Sequence, residues 1–127
     1  MRLRPSRLQT FYVWKRLSMK DREGSSYEDW GDPVAVTGEA WPASGEVQAK
    51  TYGERLAYIY NVRLDGAYTV EPDGSGRLHY VLADGTRIQE GDGITIFKSA
   101  SGELTKPEYK IVSVRPYRFL KMEVERL

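Results

Sequence analysis

Along this chain, helical periodicity is scarce and strand alternation is frequent. In TFYVWKRL, Phe11, Val13 and Leu17 share one face, and Tyr12, Trp14 and Arg16 share the other. The stretch from Asp21 to Asp32 is polar and contains glycine, so it reads as a loop. PVAVTGEAW reads as a second strand with Val34, Val36 and Ala40 on one face. Residues 42–56, PASGEVQAKTYGERL, show neither period and predict a long loop or a short helix. AYIYNVRL then aligns Tyr58, Tyr60, Val62 and Leu64, and RLHYVL aligns Leu78, Tyr80 and Leu82. GITIF, YKIVSV and FLKMEVE follow, the last aligning Leu120, Met122 and Val124. The pattern predicts an all-β chain of about six to eight short antiparallel strands, closed as a small barrel or stacked as a sandwich.

Turn chemistry separates the runs. Asp65-Gly66, Asp73-Gly74 and Asp84-Gly85 are Asp-Gly pairs; Gly accepts positive φ without a Cβ clash, and Asp bonds locally. Ala83-Asp84-Gly85-Thr86 predicts a hairpin, and Ser101-Gly102 marks another turn.

Composition narrows the class. A chain of 127 residues fits one domain, 1–127. Nine Tyr and three Trp supplement a modest aliphatic content, which argues against global disorder. The absence of cysteine removes disulfides and thiolate metal sites and suits a reducing cytoplasm. The longest aliphatic or aromatic run, Leu56 to Tyr60, falls far short of the roughly 20 residues of a membrane helix. MRLRPSRLQT has charge but no apolar core behind it, so no signal peptide is expected.

The net charge of +1 is unevenly placed. Residues 1–20 carry Arg2, Arg4, Arg7, Lys15, Arg16 and Lys20 and no acid. Residues 21–46 carry Asp21, Glu23, Glu28, Asp29, Asp32, Glu39 and Glu46 against Arg22 alone. Such a split fits a surface that meets an oppositely charged copy of itself, a DNA-facing strand, or a solvated strand followed by a solvated loop.

Candidate chemistry is thin. The segment IQEGDGITIF, residues 88–97, sets two acids beside two glycines. A calcium loop needs oxygen ligands at alternate positions and a late Glu. That register from Asp73 reaches Arg77, and from Asp84 it reaches Ile88, so both fail. Neither GxGxxG nor a Gly-Lys-Ser/Thr ending occurs. Gly91-Asp92-Gly93 is therefore expected to be a tight turn leading into a strand from Ile94 to Phe97. His79, the one histidine, alternates with Leu78 and Tyr80 and is expected to face solvent or a subunit neighbour. No GxSxG occurs, and no carboxylate pair stands out. No catalytic residue, metal site or cofactor is assigned. The best binding signal is basic and aromatic: Tyr12, Trp14, Lys15 and Arg16 resemble the stacking-plus-charge surface of single-strand binders. An edge strand with rings packed under a loop, or a protein interface, explains it too.

Taken in order, the pieces resemble the phage head–tail joining family, small adaptor or stopper proteins that link the portal of a filled head to the tail. The resemblance rests on an N-terminal strand, then Asp21, Gly24 and Trp30, then Ala40-Trp41-Pro42 and Ser44-Gly45-Glu46. A strand from Asn61 to Leu64, the Tyr109, Ile111, Val114 pattern and a final strand from Leu120 to Glu125 complete it. TYGERLAY and EGDGI are similar to members from phages of Gram-positive bacteria. The order and length of the pieces carry the resemblance, which spans nearly the whole chain; the stretch Gly66 to Gly85 is longer than in typical members.

The family implies a β-barrel protomer that joins a homo-oligomeric ring on the portal or its adaptor. Double-stranded DNA passes through the ring's channel, and tail-completion or tail-tube proteins lie beyond. With no acid–base–nucleophile set and no apolar run of membrane length, no enzyme and no membrane partner are expected. The location is the virion head–tail interface, after assembly in the host bacterial cytoplasm. Such rings often need their platform, which allows a monomer in solution. In stopper members the loop between the second and third strands helps close the channel. The matching segment is Ala43 to Arg55, and the resemblance implies that Glu46, Lys50, Tyr52, Glu54 and Arg55 face the lumen or a neighbouring subunit. The basic first strand and the acidic stretch after it are expected to meet across subunits. The competing readings are an OB-like single-stranded nucleic-acid module using Tyr12, Trp14, Lys15 and Arg16, a tail-completion protein, and an enzyme that the motifs do not reveal.

Overall fold

Alternation decides which side chains fill the interior. In a computed structural model, which describes residues 7–20, 22–97 and 106–127, the chain is mostly β. The elements are β1 (Gln9–Trp14), β2 (Arg16–Lys20), β3 (Ser26–Trp30), β4 (Val34–Pro42), α1 (Glu46–Tyr52) with a 3-10 turn (Gly53–Tyr58), and β5 (Ile59–Leu64). There follow β6 (Tyr68–Pro72), β7 (Leu78–Leu82), β8 (Arg87–Ile88), β9 (Gly93–Thr95), β10 (Tyr109–Pro116) and β11 (Leu120–Arg126). Six of them close an antiparallel barrel in the order β1-β4-β5-β11-β10-β9. The all-β expectation holds, as a barrel rather than a sandwich.

The core is one layer of inward positions from every barrel strand: Phe11 and Val13, Val36, Val62 and Leu64, Ile94, Ile111 and Val114, and Leu120, Met122 and Val124. Burying side chains of this size contributes about 1.5–3 kcal/mol each. At the inward position of β4, Gly38 takes the place of a side chain. A Cβ there would lie 2.3 Å from the Arg63 carbonyl oxygen, so β4 and β5 cross where only glycine fits.

Two smaller sheets leave the barrel. The chain bends at Lys15, and β2 pairs with β3 as a hairpin, Arg16 opposite Trp30 through Lys20 opposite Ser26. The reading of residues 21–32 as loop is thereby corrected for Ser26–Trp30, while residues 22–25 form the turn between the strands. The basic and acidic segments pair within one chain, so they supply no argument for a contact between subunits. The second sheet is β6-β7-β8. The Asp84-Gly85 turn joins β7 to β8, with the Leu82 amide donating to the Thr86 carbonyl at 2.9 Å and Gly85 at φ 91°. Tyr80 and Ile88 reach the main core from this sheet, but Leu78 is exposed, since it stands at the far end of the hairpin. Tyr58 ends the 3-10 turn instead of joining β5 and is likewise exposed. The turn expected at Ser101-Gly102 lies outside the described residues. Among the described residues, no helix is long and apolar enough to cross a membrane.

Candidate interaction surfaces

The segment between β4 and β5 makes an excursion over the outside of the barrel. Its ends are bonded to each other, the Ala43 amide donating to the Ile59 carbonyl at 3.1 Å. Between them α1 buries none of its residues, and Val47 is 79% exposed. A seven-residue helix is too short to persist alone in water, so docking keeps it ordered. That docking is polar. The Gln48 side-chain amide donates to Asn61 Oδ1 at 2.7 Å on β5 and to Glu123 Oε2 at 2.9 Å on β11. Its oxygen accepts from the Ser44 amide at 3.0 Å and from Asn61 Nδ2 at 3.3 Å. Asn61 and Glu123 point outward by alternation, yet they are only 2% and 5% exposed. Tyr52 also bonds Glu123; burial first, and then that carboxylate, push its phenol up to about 12. Arg55 forks onto Glu125 at 2.6 and 2.5 Å, which holds the Glu125 carboxyl below its ordinary range.

Of the five residues assigned to a lumen or a neighbour, Glu46, Lys50, Glu54 and Arg55 are exposed and Tyr52 is half-buried. Lys50 and Glu46 form an exposed i,i+4 pair at 3.6 Å. Tyr52 and Arg55 bond carboxylates of their own barrel, Glu123 and Glu125 on β11, Arg55 while remaining exposed. Gln48, which does most of the docking, was missed. A single glutamine in an aperiodic segment carries no signal; the trace available was the pair Asn61 and Glu123 at outward strand positions.

The four residues of the N-terminal strand do not form a stacking surface. β1 lies within the barrel wall between β4 and β9, not at an edge. Trp14 is 3% exposed, and its indole donates to Thr95 Oγ1 at 2.9 Å. A second apolar layer covers it on the barrel's outer side, where a Cβ at Gly93 would strike Pro107 and approach Trp30. A stacked base needs a free ring face, so the outward assignment of Trp14 is corrected. Lys15 reaches Asp92 at 3.4 Å, and the Arg16 amide donates to the same carboxylate at 3.2 Å.

Those contacts anchor the EGDGI turn. Asp92 is 2% exposed and also accepts from the Gln89 amide at 3.0 Å. Its backbone pairs with β10, the Ile111 amide donating to its carbonyl and the Gly91 amide, at φ 96°, donating to the Ile111 carbonyl. Burial raises the carboxyl's pKa, and the Arg16 amide and Lys15 oppose that shift. The segment is a staple between β1 and β10, as the turn reading expects, and the strand it leads into is Gly93–Thr95. Among the described residues, no three His, Asp or Glu side chains gather as metal ligands.

His79 is mostly buried, not solvent-facing; its Nε2 lies 3.1 Å from Asp73 Oδ2. Asp73 closes the β6–β7 loop by accepting from the Ser75 amide and hydroxyl and the Arg77 amide. Those bonds, Ser75 first, hold its carboxyl well below the usual range. The carboxylate sits between hydroxyl and imidazole, so this is not the order in which a histidine takes a serine's proton.

Comparison with known protein families, with curated proteins and with solved structures finds no match.

Proposed function

We propose that this protein is a structural head–tail connector of a phage or prophage, joining the portal or adaptor of a DNA-filled head to the tail. One observation carries the reading beyond the sequence resemblance. The β4–β5 excursion is docked on a closed barrel by polar groups and shows Val47 and Tyr58 to water. Its ends meet at Ala43 and Ile59. An arm built this way can leave the barrel without opening the core. A subunit that must exchange contacts during assembly, or close a channel in a ring, needs such an arm. The closed barrel suits the same role, since its six strands leave no free edge among themselves for uncontrolled pairing.

The test is electron microscopy of particles from a producing strain with this gene deleted. DNA-filled or leaking heads beside free, finished tails are expected. Normal tailed particles would overturn the proposal. Gene order beside a portal gene would favour the head side, and order beside a tail-tube gene the tail side. Excising Gly45 to Gly53 is expected to leave a folded monomer that no longer completes particles.

A further inference from the structure

The excursion bonds the outward pair Asn61 and Glu123 of β5 and β11. The next outward row of the register reads Glu39, Arg63, Lys121, Arg115, one residue from each of β4, β5, β11 and β10. Lys121 therefore stands directly between two arginines. Like charges opposite one another cost stability in a sheet. Both neighbours have carboxylates of their own: Arg63 donates through Nε and Nη2 to Glu39 Oε1, and Arg115 reaches Glu123 at 3.4 Å. Lys121 and the adjacent Arg118 make no ion pair among the described residues.

Aromatic rings interleave these cations. The Arg63 guanidinium lies 5.5 Å from the Trp41 ring centroid and 5.7 Å from that of Phe119, held between them. At the β10–β11 turn, Tyr117 is 60% exposed. Its backbone is fixed on both sides, the amide donating to the Arg115 carbonyl at 2.9 Å and the carbonyl accepting from the Tyr68 hydroxyl. The ring is thus presented from a braced turn at no cost in backbone ordering. Trp41, Arg63, Tyr117, Arg118, Phe119 and Lys121 line one hollow, and a second continues past Trp41 and Glu39 to Arg7.

We infer that this shelf binds single-stranded nucleic acid, its phosphates on Arg118 and Lys121 and a base stacked on Tyr117. Charge complementarity selects the partner. The two carboxylates of the shelf are engaged by Arg63 and Arg115, and the cations left over face water beside an exposed ring. Single-strand binders join charge and stacking in this way, whereas a duplex keeps its bases stacked on one another and offers the ring nothing. The inference does not rest on the connector reading, and the particle assay leaves it untouched.

The experiment is fluorescence anisotropy of the full chain with a labelled oligothymidylate of about 12 nucleotides, titrated over a range of salt. Binding is expected to weaken with salt, the log–log slope losing about 0.7 for each of Arg118→Ala and Lys121→Ala. Tyr117→Ala is expected to weaken binding roughly tenfold to a hundredfold, the range of one stacked base. A Lys50→Ala control on the excursion is expected to bind as the parent does. All these positions are at least partly exposed, so circular dichroism should show every variant folded. No binding would overturn the inference. So would binding that is indifferent to Tyr117→Ala, or equal affinity for a duplex of the same length, since either reduces the shelf to a diffuse charge effect.

Discussion

Replacing Gln48 with alanine tests whether the excursion is a separable unit. The variant loses two donated and two accepted hydrogen bonds. Neutral bonds contribute about 0.5–1.5 kcal/mol each, and one to a carboxylate about 1.5–3. The bonds share one side chain and are not additive, so a loss of about 2–3 kcal/mol in docking is the reasonable sum. At about 1.4 kcal/mol per factor of ten, the undocked population rises roughly 30- to 150-fold. Because the docked arm is part of the native state, global stability should fall by the same amount, up to the parent's own docking free energy, while the barrel itself stays folded with water replacing the bonds lost at Asn61 and Glu123. Hydrogen exchange at the amides of residues 46–52, together with trypsin cleavage after Lys50 and Arg55, reads the local term. A denaturant midpoint reads the global one. Unchanged exchange would refute the role given to Gln48. Exchange at residues 46–52 with the same opening free energy and denaturant slope as the barrel core would show that the arm opens only with the barrel, and the separable-arm argument would fail.

Other substitutions probe the remaining parts. Asp92→Ala leaves the Arg16 and Gln89 amides without their acceptor, and a loss of about 2–4 kcal/mol is expected by chemical denaturation; added calcium should leave the melting temperature of the parent unchanged. Gly38→Ala drives a Cβ into the Arg63 carbonyl and should cost about 1–3 kcal/mol or more, while Gly74→Ala, with nothing within 4 Å, should stay within about 0.5 kcal/mol. Tyr52 titrates near 12 when docked, against an ordinary 10. The docked state therefore holds more protons between those values, so docking is at full strength below about pH 10 and weakens as pH rises towards 12. Alkaline titration by phenolate absorbance should lose its latest component in Tyr52→Phe, and the pH-dependent rise in trypsin cleavage at Arg55 should flatten with it.

How far the sequence reaches is clearest on β11. Leu120, Met122 and Val124 alternate in the sequence and are all buried, because a strand with one face on a core leaves a period of two. The Asp84-Gly85 hairpin was legible for a different reason: its turn demands a residue with positive φ. The β2–β3 hairpin was not. It forms a sheet of its own outside the barrel's hydrogen bonding, and residues 21–32 show polar composition and no apolar period. Trp14 misled because alternation tells inside from outside for one layer only, and a second layer around Trp30 and Pro107 covers the outside of β1. At the candidate site, the aperiodic composition of residues 42–56 marked the excursion. The contacts that dock it join Gln48 to Asn61 and to Glu123 on β11, and polar contacts that far apart in sequence leave no local pattern.

Glu123 joins the two halves of the outer face. It is the acceptor for Gln48 and a partner of Tyr52, and it is also the carboxylate that engages Arg115 at the end of the cationic row. While the arm is docked, Gln48 and Tyr52 hold the carboxylate, which is 5% exposed. Lifting the arm leaves Arg115 as its remaining partner and brings it into water, where a pair of this length is screened and weak. Shelf and arm therefore share a charge. Gln48→Ala, which frees the arm, should alter the salt dependence of oligothymidylate binding although it touches no shelf residue, whereas Lys50→Ala, on the same helix but away from Glu123, should not. Equal slopes for Gln48→Ala and the parent would mean that the two surfaces work independently.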